Sequence, residues 1–266
     1  MANLIEIRGV THAYRTATGP LPVLDNLNIA IPEGGFCAVV GPSGCGKSTL
    51  TRLIAGLMFP DKGEVWLHGE IVRSPRKTVG MAFQNPVLLE WRTILQNVML
   101  PLEIVAPRMP KAKKQDRARE LLALVGLEGF EDKRPSELSG GMRQRASLCR
   151  SLVHRPEVLI LDEPFGALDA FTREDLWQLM HRLRAEESFT ALLITHDLRE
   201  SVYLADQVVV LSGRPATTQY VLDIDMPGIR PIDMLYSARS VEWLAELRAQ
   251  IEIAQGRKAP AREAAQ

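Results

Sequence analysis

The sequence predicts an α/β fold built on a mainly parallel sheet, and three observations predict it. Short, almost wholly apolar runs at Phe36–Val40, Val79–Phe83, Val158–Leu161, Ala191–Ile194 and Gln207–Leu211 are suited to strands buried on both faces. Helix-patterned segments at 171–187 and near 197–204 separate the later runs. Strands alternating with helices imply parallel pairing with helices on both faces. A glycine-rich loop from Gly41 to Thr49 joins the first run to a helix read from Ser48 to Leu57, ended near Gly56 and Pro60.

At the N-terminal side, residues 3–10 and 64–72 read as strands with polar turns between them. The character changes after Gln84. Residues 94–155 lack strand patterns; Ala118, Leu121, Leu122 and Val125 recur at helical spacing within Lys111–Val125. A further helix begins after Gly141, with Met142, Ala146, Cys149, Leu152 and Val153 on one face. Residues 86–156 therefore read as a helical subdomain inserted in an α/β core spanning 1–212. Residues 213–266 form a weakly patterned C-terminal extension. Its last part, 256–266, is rich in Ala with Gly, Pro and charges, and is expected to be disordered.

Composition excludes several classes. A hydrophobic fraction of 46% and a charged fraction of 24% are those of an ordinary globular protein. With 32 basic and 32 acidic residues there is no basic excess to bind nucleic acid or an anionic membrane surface, and no nucleic-acid partner is expected. Lys111, Lys113 and Lys114 read as a solvated face. Cys37, Cys45 and Cys149 make neither a metal spacing nor a disulfide framework, which fits a reducing compartment. The first residues lack the basic and apolar regions of a signal peptide. No apolar run approaches the roughly 20 residues of a membrane-spanning helix, so another chain would have to hold this one at a membrane.

The loop carries the first chemistry. Gly41, Pro42, Ser43, Gly44, Cys45, Gly46, Lys47, Ser48 and Thr49 fit G-x-x-x-x-G-K-S/T. Glycines let the backbone curl so that successive N–H groups face phosphate oxygens. The following helix aims its positive N-terminus at the same anion. Lys47 can reach the β- and γ-phosphates, and Ser48 can ligate Mg²⁺. The strand before and helix after favour this reading over a glycine-rich turn without a ligand and point to a nucleoside triphosphate with Mg²⁺; many kinases and GTPases share the loop, and the choice of ATP rests on the motifs that follow.

Val158–Leu161 runs into Asp162 and Glu163, which puts two carboxylates at the C-terminal end of a strand, where ligands bind in open α/β sheets. Asp162 would hold Mg²⁺ and Glu163 would polarise the attacking water. The bland alternative is a turn cap just past a strand. Leu138-Ser-Gly-Gly-Met-Arg-Gln-Arg145 then places Ser139, Gly140 and Gly141 at a helix start, a second anion site. One triphosphate does not need two such sites in one chain. Two copies paired head-to-tail, each offering this helix start to the other's γ-phosphate, resolve the duplication.

Taken together, these motifs resemble the ATP-binding cassette of an ABC transporter over about residues 3–212. The resemblance implies a P-loop NTPase core with a mainly parallel sheet, an N-terminal antiparallel β portion and an inserted helical subdomain. It implies that Tyr14 stacks on adenine, that Gln84 contacts Mg²⁺ and couples the site to a membrane partner, and that Asp169, in Ala167-Leu168-Asp169, crosses the dimer interface. It also implies that His196, in Thr195-His196-Asp197, touches the γ-phosphate and positions the water. Taken singly, Tyr14 reads as a strand residue, Gln84 as a surface amide, Asp169 as a helix-start charge and His196 as a neighbour of a helix cap; their shared order favours function. The implied catalytic set is Glu163, His196 and Lys47, the implied metal set Ser48, Gln84 and Asp162, and the implied trans set Ser139, Gly140, Gly141 and Asp169.

Two strings are similar to the nitrate/sulfonate/taurine importer group: Asn85–Val98 followed by Leu100–Glu103, and Pro164–Arg173. That group often has Pro before the Trp-Arg pair, where this chain has Glu90. Its substrates include nitrate, taurine, alkanesulfonates and some pyrimidine precursors. The resemblance implies a second copy of the chain, integral-membrane permease subunits and, indirectly, a solute-binding protein as partners. It implies a peripheral location on the cytoplasmic side of the cell membrane. Trp91 and Arg92 are the candidate permease contacts. Two other readings stay open. One is an ABC-type ATPase not coupled to import, such as an exporter, a lipid-trafficking or a soluble mechanochemical protein. The other is a non-catalytic nucleotide sensor, which Glu163 and His196 argue against.

Overall fold

The computed structural model describes residues 2–226 and 228–256. Two sheets form its frame. Strands β1 (Asn3–Thr16), β2 (Gly19–Pro32), β4 (Lys62–Leu67) and β5 (Glu70–Ile71) make a four-stranded antiparallel sheet in the order β2-β1-β4-β5. Strands β3 (Phe36–Val40), β6 (Val79–Phe83), β7 (Val158–Asp162), β8 (Thr190–Ile194), β9 (Gln207–Leu211) and β10 (Thr218–Asp223) make the second, in the order β10-β9-β3-β8-β7-β6. All pairings in this second sheet are parallel except β10 with β9.

The central strands are apolar throughout because both of their faces are covered. Alternation divides their side chains between two cores. Phe36, Ala38 and Val40 of β3, Leu159 and Leu161 of β7, Ala191 and Leu193 of β8 and Val208 and Val210 of β9 join one core. Helices α2 (Ile94–Val105), α3 (Lys111–Leu124), α4 (Gly140–Leu152), α5 (Ala170–Glu187), α6 (Leu198–Leu204) and α7 (Ala238–Ala254) contribute to the same core. The other faces, with Cys37, Val39, Ile160, Leu192, Ile194 and Val209, pack with α1 (Lys47–Ile54) and with Ile5, Ile7, Val10 and Leu27 of the antiparallel sheet. Packed between two layers, the parallel sheet is rigid, and its strand ends are fixed in register.

Several sequence expectations are adjusted. Residues 3–10 are part of a strand of 14 residues, and a second strand of the same length follows it. The prolines Pro20, Pro22 and Pro32 hide β2, but it lies at the sheet edge, where a missing N–H costs least. The expected strand at 64–72 is a hairpin: Trp66 pairs with Ile71 and Leu67 with Glu70, and both turn residues, His68 and Gly69, have positive φ of 51° and 73°. The helix expected from Ser48 to Leu57 runs instead over Lys47–Ile54, and Gly56 at φ 71° closes it. Helix α3 leaves Lys111 and Lys113 exposed as expected, but Lys114 is buried.

The weakly patterned extension is more ordered than its sequence reading. It adds β10 to the sheet edge, a 3₁₀ turn (Ile232–Tyr236) and α7, whose Trp243 and Leu247 enter the first core. Residues 257–266, where most of the expected disorder falls, lie outside the described residues. No helix among the described residues is long and apolar enough to cross a membrane.

Arg230 fastens the extension to the core. It is 3% exposed, and its guanidinium donates to the carbonyls of Val202 (2.8 Å), Tyr203 (3.0 Å), Ala205 (2.8 Å) and Met226 (2.9 Å). Its own carbonyl accepts from the Tyr203 hydroxyl at 2.6 Å. Three of the accepting carbonyls, those of Val202, Tyr203 and Ala205, lie at the end of α6, where the helix itself leaves them open. Arg230→Met keeps the apolar stem and strands those carbonyls. A loss of about 2–4 kcal/mol is expected, read as a lower urea midpoint at unchanged slope. A shift of less than about 0.5 kcal/mol, the size of an ordinary surface substitution, would contradict the fastening role.

Candidate active site

The sheet brings four strand ends together. Phe83 at the end of β6 pairs with Asp162 of β7, Asp162 pairs with Ile194 of β8, and Val39 of β3 pairs with Ile194. The residues that follow these ends, Gln84, Glu163, Thr195–His196 and Gly41, therefore leave the sheet on one edge. None of these four segments is adjacent to another in sequence; the parallel register alone gathers them.

The loop after β3 closes around Lys47, which is 8% exposed. Its Nζ donates to the carbonyl oxygens of Gly41 at 2.9 Å and Pro42 at 3.0 Å. Gly46 is required by shape. Its φ is 125°, and a Cβ there would come within 2.8 Å of both Leu24 Cδ2 and Val23 Cγ1. Cys45 is buried in the loop, and burial raises its thiol pKa, so it serves as packing rather than as a nucleophile.

A cavity of about 560 Å³ opens over this loop, within the roughly 300–1,000 Å³ range of ligand sites. It is lined by Ser43, Gly44, Gly46, Lys47, Ser48 and Thr49 from the loop and α1, by Tyr14, Leu21 and Val23 from the antiparallel sheet, and by Glu163, His196 and Arg214. The Tyr14 and Thr49 hydroxyls share a hydrogen bond of 3.1 Å, and the Tyr14 ring stands edge-on to His12 at 5.2 Å. The aromatic ring is thus held at the cavity wall from two sides. An anionic ligand with an aromatic, partly apolar end fits this lining: loop and ammonium at one end, Tyr14 with Leu21 and Val23 at the other.

Glu163 has a φ of 51°, rare for a residue with a side chain, and its N–H donates to Ile194 O at 2.9 Å, extending the strand ladder. Its Oε2 lies 3.4 Å from His196 Nδ1. Gly166 sits against the same group: a Cβ there would be 3.5 Å from Gln84 Nε2 and 3.5 Å from His196 Cε1. Gln84, Glu163 and His196 are therefore neighbours. Burial first, then the Glu163 charge, raise the Asp162 pKa above its usual value, against the lowering influence of Arg52 and Lys47. A divalent cation beside Asp162 would reverse that balance, so oxygen donors from Ser48, Gln84 and Asp162 make a chemically suitable set for Mg²⁺.

The helix start at Ser139 stands apart from this cavity. Ser139 caps α4 by accepting from the Met142 N–H at 3.3 Å, and Asp169 caps α5 by accepting from Thr172 N at 3.0 Å and from its hydroxyl at 2.7 Å. Gly141 lies so near α5 that a Cβ would meet Thr172 Cγ2 at 2.6 Å. Ser139, Gly140, Gly141 and Asp169 thus share one exposed region, and none of them lines the cavity over Lys47. One residue of the same string faces inward: Gln144 donates to Phe83 O at 3.2 Å, tying α4 to the strand end that carries Gln84.

Sequence reasoning left out Leu21, Val23 and Arg214, which reach the cavity from β2 and from the turn after β9. It also left out Gly166 and Gln144, although both lie inside strings that it singled out. For Gln144 no local signal was available: it lies opposite the face of α4 marked by Met142, Ala146 and Cys149, and only the fold buries it against β6.

Known proteins give the same picture. The ABC transporter family model matches residues 24–166. An uncharacterised ABC transporter ATP-binding protein of Methanocaldococcus jannaschii is 41% identical over 240 residues, covering 90% of this chain and 87% of that protein. The bicarbonate transport ATP-binding protein CmpD of Synechocystis is 44% identical over 211 residues, covering 79% and 75%. The aliphatic sulfonates import ATP-binding protein SsuB of Bacillus cereus is 38% identical over 223 residues, covering 84% and 87%. Among solved structures, the dimeric ATP-binding cassette MJ0796 in a post-hydrolysis state bound to ADP and Pi superposes with a TM-score of 0.74 at 29% identity, covering 84% of this chain and 100% of that one. With its phosphate loop, acidic strand end and helix-start Ser-Gly-Gly in one fold, the chain belongs to the ABC transporter family, as an ATP-binding ATPase.

Proposed function

We propose that this chain powers an ABC importer for a small anion, and that it works as a pair of copies sharing two ATP molecules. The observation that carries the reading is the convergence of Lys47, Ser48, Glu163 and His196 on one cavity while the helix start at Ser139, Gly140 and Gly141 lies outside it. In one chain the site is half of something. Lys47 and the loop N–H groups hold the β- and γ-phosphates, and Tyr14 stacks on the base. Glu163 accepts a proton from the attacking water, and His196, 3.4 Å from Glu163, fixes both the water and the γ-phosphate. Mg²⁺, held by Ser48, Gln84 and Asp162, would supply charge neutralisation on the phosphate oxygens. Most of the catalysis is positioning and electrostatics.

The second copy would bring its Ser139–Gly141 helix start and its Asp169 to the γ-phosphate. The related cassette solved as a dimer with ADP and Pi supports this assembly. Coupling to a membrane partner would run through residues 84–92. That segment is held from behind: Arg150 donates to Pro86 O and Val87 O at 2.8 Å each, and the Asn97 side chain bridges Leu89 N, Leu89 O and Arg92 O. Trp91 stands out of it, 73% exposed, whereas Arg92 is engaged with Glu103 at 3.0 Å. Trp91 is accordingly the permease contact of the two. A peripheral place on the cytoplasmic face follows from that partner, and a solute-binding protein would deliver the cargo. Relatives that carry bicarbonate or aliphatic sulfonates support a small anion.

Three outcomes test this. Glu163→Gln should keep ATP binding and lower turnover by roughly 10²–10⁴-fold, the usual worth of a general base; near-normal ATPase removes Glu163 from that role. Ser139→Arg should bind nucleotide as a single chain yet fail to dimerise with ATP, and an unimpaired ATP-dependent dimer in gel filtration contradicts the shared site. Trp91→Ala should weaken association with the membrane subunits by about 10–100-fold, as removal of an exposed aromatic anchor does. Unchanged co-purification assigns the contact elsewhere.

A further inference from the structure

Between the two halves of the site runs a chain of hydrogen bonds that passes through one side chain. Arg173, in the first turn of α5, donates from one terminal nitrogen to Asp197 Oδ2 at 2.9 Å and from the other to Leu168 O at 2.9 Å. Leu168 belongs to the segment that ends in Asp169. Asp197 follows His196 directly, and its other oxygen caps α6, accepting from Arg199 N at 2.9 Å and Glu200 N at 3.4 Å. The Asp197 N–H donates to Thr195 Oγ1 at 3.0 Å, and the Thr195 hydroxyl donates to the carboxyl of Glu200, which is 3% exposed. His196 is thereby pinned on both sides, through Thr195 and Asp197. What pins Asp197 laterally is Arg173.

We propose that Arg173 is a positioning residue that locks His196 to the Leu168–Asp169 segment, so that docking of a second copy against Asp169 sets the His196–Glu163 pair. The proposal rests on the shared-site reading above. An ion pair as accessible as Arg173–Asp197 contributes little to stability by itself. Its importance is geometric. A guanidinium is a planar fork whose two terminal nitrogens reach two separate acceptors at a fixed angle, whereas an ammonium offers all its donors from one nitrogen on a flexible stem. The two acceptors belong to different loops, one on each side of α5's first turn, so a shift of one moves the other. Spatial intermediacy alone would be a weak warrant for coupling. Here the link is direct: from Leu168 O to the Asp197 carboxylate there is no residue except Arg173. The Glu200 carboxyl feels the charges of both Asp197 and Arg173, and Glu174 is engaged with Arg199 at 3.1 Å.

The test is steady-state ATPase of the full chain as wild type, Arg173→Met, Arg173→Lys, Asp197→Asn and the Arg173→Met/Asp197→Asn double variant, with Glu163→Gln as reference. Asn keeps a cap for α6 and removes only the charged joint. Each single variant should lower kcat by about 10–100-fold, the cost of a small misplacement of catalytic groups, with KM for Mg-ATP changed by less than about threefold. Arg173→Lys should be as impaired as Arg173→Met. The double variant should be no slower than the worse single one, because both remove the same joint. A kcat within about twofold of wild type in Arg173→Lys, or losses that multiply in the double variant, overturns the proposal. If Arg173→Met does not fold, Arg173→Lys and Asp197→Asn carry the same decision. Glu163→Gln separates the two levels. Full activity there brings down the underlying site reading, whereas an inactive Glu163→Gln beside a normal Arg173→Lys sinks the clamp alone.

Discussion

A buried ammonium organises this molecule. Lys47 is buried but for its opening into the cavity, and a charge so placed has to be hydrogen-bonded. Its partners are the Gly41 and Pro42 carbonyls, so the chain must double back as it leaves β3. That curl needs Gly46, whose place against Val23 and Leu24 admits no side chain. An ammonium has three donors, and with two on the loop, one remains for an anion in the cavity. The loop is therefore shaped around its cation before any phosphate arrives. The antiparallel sheet, which supplies Val23 and Leu24, is part of the same device.

The rest of the site depends on strand register. The buried strands at 36–40, 158–162, 190–194 and 207–211 were legible because a strand covered on both faces has to be apolar at every position. Two of the three long helices between Ile94 and Leu152, α3 and α4, were legible for a related reason, since each carries an apolar stripe and Ser139 marks the start of α4; α2, with Thr93 as its cap, was read only as part of a helical region. What was missed obeys other rules. Strand β2 hides behind prolines that only an edge position tolerates. The β4–β5 turn hides behind a His-Gly pair. Helix α7 does carry Trp243, Leu247 and Ile251 at spacings of four, but Val241 and Ile253 on its exposed side blur the contrast on which periodicity depends.

Within the site, residues that act through backbone curvature or terminal charge were readable from one segment each: the phosphate loop, the acidic strand end and the Ser139 helix start. Residues whose placement comes from tertiary contact were not. Arg214 and Leu21 reach the cavity only because β9 and β2 end beside it. Gln144 and Arg173 lie within strings of otherwise clear meaning, yet their partners, Phe83 O and Asp197, are 61 and 24 positions away. Local pattern identifies the groups that meet a ligand. It does not identify the groups that hold them in place, since those are defined by partners remote in sequence.

Charge explains why such holding matters. The cavity wall of one chain presents Glu163, with Asp162 close behind it, and burial beside Glu163 already pushes the Asp162 carboxyl toward its protonated form. A triphosphate adds several negative charges to those of Glu163 and Asp162, and Lys47 and Arg214, even with a divalent cation, leave the sum incompletely matched. On the proposed reading the missing positive end is the α4 helix start of the other copy, which makes closure conditional on the γ-phosphate. Closure then has to report to the residues that cleave it. In the fold that report has a short route, because Leu168, which precedes Asp169, and Asp197, which follows His196, are joined across one arginine. Once the γ-phosphate leaves, the helix start loses its counter-charge, and nothing in the site of a single chain replaces it.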